Sequence, residues 1–84
     1  SIHKRRKPIE ELAKELNPII RGMIGYFHKF WEGGMRSVWN KLNHRLLKWV
    51  KWEKGLYKYA SLAWLRRKYA ENPTLFAHWK LVQP

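Results

Sequence analysis

At 84 residues the chain has room for one small domain with a modest core, and none for a two-layer enzyme with a deep cleft. Eighteen Lys and Arg stand against six Glu, with no Asp, giving a formal charge of +12 and a pI near 10.4, the balance of a polyanion binder. Six Trp and an aromatic content of 15% exclude a disordered basic tail, and the absence of Cys excludes disulfides, thiol catalysis and Cys-based zinc sites while fitting a reducing intracellular setting.

The chain opens at Ser1, not at methionine, and is read as a piece of a longer protein. His3, Lys4, Arg5, Arg6 and Lys7 form a basic lead-in, suited either to clamping phosphates or to simple solvation. Pro8 with Glu10 and Glu11 behind it predicts a helix start, because proline suits a first turn and acidic side chains favour that end of the helix dipole. This short helix is expected to stop near Leu16, since Asn17-Pro18 disfavours continued α backbone and caps a new helix. From there Ile19, Ile20, Met23, Ile24, Phe27, Phe30 and Trp31 recur at helical spacing, and Gly33-Gly34 ends the segment. Two glycines lie inside it, each costing about 1 kcal/mol relative to alanine. Close packing of a neighbouring helix at Gly22 and Gly25 is the expected reason, and approach of an RNA backbone the alternative.

The next segment is the most regular. Met35, Val38, Trp39, Leu42, Leu46, Trp49 and Val50 share one helical face, while Lys41, His44, Lys48 and Lys51 fall opposite and Trp52 sits at the edge. Cations beside an indole suit phosphates and unpaired bases; a merely solvated lysine face is the competing reading. After Gly55, residues 56–71 predict a third helix, apolar on two sides and wet on one narrow strip, with Leu62, Leu65 and Tyr69 on one side and Tyr57, Ala60 and Trp64 on the other. Arg66, Arg67 and Lys68 are its cationic cluster, beside Trp64. Asn72-Pro73 stops the helix, and Leu75, Phe76 and Trp79 in residues 74–84 are expected to dock on the bundle. Phe27, Phe30, Trp31, Trp39 and Trp49 are assigned to the core. The expected fold is all-α: one domain over residues 1–84, a small bundle of three main helices with a short N-terminal helix and a packed C-terminal tail.

Chemistry is missing from this pattern. Two-metal nucleotidyl transfer needs clustered carboxylates, the four His lack metal-ligand spacing, and Ser37 and Ser61 have no nucleophile context. No catalysis, metal, cofactor or small-molecule substrate is expected, and the apolar runs are too short to span a membrane. His78 is expected to be a buried histidine bonded to backbone, not a ligand.

Leu16-Asn17-Pro18-Ile19-Ile20-Arg21-Gly22, followed by Tyr26-Phe27, resembles the L-N-P-x-x-R-G-W-x-N-Y-[YF] signature of the maturase-specific domain in group II intron reverse transcriptases. Leu42-Asn43, Leu46 and Trp49 are similar to that domain's second helix, and Trp64-Leu65 with Pro73, Leu75-Phe76-Ala77-His78-Trp79 is similar to the W-L … P-x-L-F-x-H-W ending of one branch. Met23 and Gly25 depart from it, standing where the signature has Trp and Asn. The resemblance implies a helical domain, called domain X or the thumb, that follows the fingers and palm of an RNA-directed DNA polymerase in the bacterial cytoplasm. It implies binding of structured intron RNA to promote splicing, and help in holding an RNA–DNA template-primer. The residues expected to bind RNA are Lys4, Arg5, Arg6, Lys7, Arg21, Lys41, His44, Lys48, Lys51, Trp52, Arg66, Arg67 and Lys68. A generic nucleic-acid clamp, or a basic amphipathic module for an acidic partner or an anionic membrane, is the alternative.

Overall fold

The computed structural model describes residues 7–31 and 33–84. Three helices, α1 (Ile9–Phe30), α2 (Met35–Lys54) and α3 (Lys58–Glu71), are followed by a 3-10 turn, Ala77–Lys80. The expected all-α bundle is therefore present, with α2 packed on α3 and the tail's 3-10 turn packed on α1.

The predicted break at Asn17-Pro18 does not occur: α1 runs through both residues as one helix of 22 residues. Proline in a helix interior forfeits one backbone hydrogen bond and crowds the preceding turn, at a cost of about 3 kcal/mol. Packing offsets it. Ala13, Asn17 and Ile20 form a continuous buried stripe across the proline. The Asn17 amide, free of any capping duty, accepts a hydrogen bond from Ala77 N at 2.9 Å and donates to Leu75 O at 2.9 Å. The expected separate N-terminal helix is simply the first half of α1.

The core joins all three helices and the tail. Trp39, Val50, Phe76 and Trp79 are fully excluded from solvent, with Ile9, Leu46 and Leu65 almost so. Phe76 and Trp79 meet edge to face at 4.9 Å between ring centroids, and Tyr69 of α3 closes on Trp79 at 5.6 Å. These geometries are the favoured ones for aromatic pairs.

Each junction has a local cause. Gly34 lies against Trp31 so closely that a Cβ there would collide with the indole. Gly55, at φ +62°, takes the left-handed conformation that ends α2, and both its amide and that of Leu56 return to Lys51 O. Asn72 ends α3, and its Oδ1 accepts from both the amide and the hydroxyl of Thr74.

Three further expectations are corrected. Phe30 and Trp31 are more than half exposed, because α1 reaches past the elements that cover its first five turns; Phe27 and Trp39 are buried and Trp49 is partly covered. α3 is wet around most of its circumference, burying Ser61 and Leu65 while Tyr57 and Tyr59 stand in solvent. Among the described residues, Gly22 and Gly25 have no neighbour within 4 Å of an added Cβ, so close helix packing is not their reason.

Candidate nucleic-acid interface

The solvent face of α2 is built by its period. At about 100° per residue, Lys41, His44, Arg45, Lys48, Lys51 and Trp52 fall within about a third of the helix circumference. That arc lies opposite the buried Trp39, Asn43, Leu46 and Val50, and all six of its side chains are exposed. The sole acidic residue of α2, Glu53, is turned inward, where it is 5% exposed and accepts a hydrogen bond from the Lys7 amide at 2.9 Å. The face is thus cationic without an interspersed carboxylate. Trp52, 74% exposed, supplies a flat ring among the cations.

Arg45, absent from the residues expected to bind, shares this face through its spacing of four from Lys41 and three from Lys48. Lys41 and Arg45 also rim an apolar groove of about 240 Å³ between α1 and α2, floored by Leu16, Met23 and Leu42. On the other flank, His44 and Arg66 come together around a cleft of about 330 Å³ between α2 and α3, joined there by Lys58. Arg66 Nε donates to Pro84 O at 3.3 Å, which holds the guanidinium beside the chain's last residue.

Other expected residues are distributed differently. Lys68 is engaged inside the fold, paired with Glu10 at 3.3 Å and Glu71 at 3.9 Å, and lies over the Trp64 ring at 5.5 Å. Lys54 lies over the same ring at 5.2 Å, so Trp64 is already occupied by two cations. A backbone hydrogen bond, and then the Lys68 ammonium, hold the Glu10 carboxyl below the usual carboxylate range against the opposing pull of burial. Lys7 pairs with Glu15, and that hydrogen bond raises its pKa above the ordinary lysine value. Arg67 is exposed on α3. Arg21 is exposed on α1, on the side that faces the tail. His3, Lys4, Arg5 and Arg6 lie outside the described residues.

Beneath the tail the polar chemistry is of another kind. Asn43 Oδ1 accepts from Trp79 Nε1 at 3.0 Å and from His78 Nε2 at 2.6 Å, while its Nδ2 donates to Val82 O at 3.1 Å. An indole can only donate and a carbonyl can only accept, so these partners fix the amide's orientation and place the His78 proton on Nε2. His78 is therefore buried as expected, but bonded to a side chain in place of backbone. Burial drives its pKa down to about 4, keeping the ring neutral. Among the described residues no group of three or more His, Asp or Glu gathers where it could hold a metal ion. No helix among them is long and apolar enough to cross a membrane.

A family model described as group II intron, maturase-specific domain, matches residues 1–83. Neither the curated proteins nor the solved structures contain a match to the chain. The signature residues Asn17, Asn43, Phe76, His78 and Trp79 are all buried, and they make the joint between the helices and the tail.

Proposed function

This chain belongs to the group II intron maturase-specific domain family, and from that premise we propose that it binds structured group II intron RNA through the solvent face of α2, to assist splicing. Lys41, Arg45, Lys48 and Lys51 neutralise phosphates along the RNA backbone, with His44 and Arg66 extending the contact into the cleft beside α3. Trp52 offers a ring on which an unpaired base stacks. The observation that carries this reading is a helix face of exposed cations and one exposed indole with its only carboxylate buried on the other side. Phosphate contacts of this kind position an RNA, and the few base contacts specify it. In a longer reverse transcriptase the same cations would serve as a thumb, tracking the backbone of a template-primer without reading sequence. The chain's own contribution is binding, with the polymerase chemistry in the fingers and palm.

The test is a titration against a structured group II intron RNA and an unrelated RNA of equal length, repeated across salt concentrations. Four phosphate contacts give a slope of log K on log salt of about −3 on the single-strand scale. A preference for the intron RNA that survives added salt is the expected result. Equal binding that vanishes with salt would reduce the chain to a generic electrostatic clamp.

A further inference from the structure

A second concave surface lies on the opposite flank of α1. Arg21, Ile24 and Gly25 face the segment 73–80 across an open cleft of about 430 Å³, within the range of small-ligand sites. At helical spacing this flank points away from Ile19 and Met23, which line the groove beside Lys41 and Arg45. The cleft is thus separate from the α2 face.

Its tail wall is held by bonds internal to the fold. Asn17 grips the chain on both sides of Phe76, through Leu75 O and Ala77 N, and Asn72 Oδ1 takes both donors of Thr74. Phe76, fully buried, backs the floor. Ile24 and Pro73 give the cleft an apolar surface, Arg21 and Lys80 give it two cations, and among the described residues no carboxylate lines it.

Gly25 is the independent observation. It lies inside a helix, its φ is not positive, and an added Cβ would meet none of the described residues within 4 Å. Neither backbone conformation nor a packed neighbour accounts for a residue that weakens its own helix. The space that a side chain would take there is the space of the cleft.

We propose that this cleft receives one unpaired nucleotide of a bound RNA. The base lies against Ile24 and Pro73, over the bare backbone at Gly25, and its phosphate sits between Arg21 and Lys80. The apolar floor suits the face of a base, and two cations without an opposing carboxylate suit a phosphate. A base inside a duplex has both faces stacked and cannot enter. This proposal rests on the RNA-binding reading above.

The probes are an RNA hairpin carrying a single-nucleotide bulge and the same hairpin without it, titrated with the 84-residue chain. Burying one unpaired base predicts roughly tenfold tighter binding of the bulged hairpin. Gly25→Leu changes no charge and fills the mouth of the cleft, so it abolishes that preference while leaving the unbulged affinity within about twofold; the Arg21→Ala and Lys80→Ala pair also abolishes it. A thermal melt of Gly25→Leu, unchanged or higher than that of the parent chain, establishes that the fold is intact. Equal affinity of the parent chain for the two hairpins, or a preference that Gly25→Leu leaves untouched, overturns the cleft proposal while RNA binding stands. Failure to bind either hairpin while the intron RNA is still bound overturns the cleft proposal alone, and failure to bind the intron RNA as well overturns both.

Discussion

The joint beneath the tail and the solvent face of α2 use polar side chains in opposite ways. Under the tail, Asn17 and Asn43 are buried, and every polar atom of their amides meets a partner of complementary type on segment 75–82. On α2, Lys41, Arg45, Lys48 and Lys51 are exposed, alike in charge, and turned toward solvent. The first arrangement is costly to disturb because each removed partner strands a buried group. The second contributes little to folding and concentrates positive potential where a polyanion can approach. Family signature residues dominate the joint, while the cations that would contact RNA lie largely outside the signature. Shape and binding charge are thereby placed on different residues and can be altered separately.

The largest effect expected in breaking that division is at Asn43. Asn43→Ala strands Trp79 Nε1, His78 Nε2 and Val82 O together, a loss of about 3–5 kcal/mol. A circular-dichroism melt should show Tm lowered by about 15 °C or more for a domain of this size.

Next comes the pH dependence set by His78, whose folded pKa is lowered to about 4 from an ordinary 6.5. The unfolded chain binds a proton near 6.5 that the folded chain refuses until near 4, so this stability is complete above 6.5 and is lost as pH falls through that window. The loss amounts to about 3 kcal/mol, read from urea melts between neutral pH and pH 4. Glu10, with its lowered pKa, contributes a smaller decline in the same direction at still lower pH as its carboxylate is protonated.

Lys68→Ala removes the contacts to Glu10 and Trp64, both partly solvated, and should cost about 1 kcal/mol or less in the same melts. The smallest effect on stability is at the α2 face itself. Replacing Lys41, Lys48 and Lys51 together by Ala should leave Tm essentially unchanged, yet flatten the salt slope of RNA binding by about 2. A large drop in Tm from that triple substitution would mean that the face is structural and the division false.

The sequence-level reading succeeds where structure is set by local period. In α2 the seven named apolar positions are all buried or partly covered, and Lys41, His44, Lys48, Lys51 and Trp52 are all exposed, because a helix with one apolar stripe has a single way to lie on a core. It fails where the deciding partner is distant. Asn17-Pro18 carries a local break signal, and only the tail, some sixty residues on, supplies the bonds and burial that override it. Phe30 and Trp31 continue the apolar pattern of α1, but nothing in a periodic pattern says how far the neighbouring elements extend. The partner of His78 lies on α2, beyond the reach of any local rule. Gly22 and Gly25 show the converse: the sequence marks them as costly, yet only the open space above them separates packing from access.

The most direct test of the division follows the six Trp indole N–H signals in one heteronuclear NMR titration of this chain with intron RNA, with Trp52→Phe providing the assignment. The Trp52 signal is expected to shift or broaden first, while those of Trp39 and Trp79, fully buried in the core and joint, stay in place until saturation. A titration that perturbs Trp79 or Trp39 while Trp52 stands still would contradict it, because RNA would then be acting through the joint and not through the face of α2.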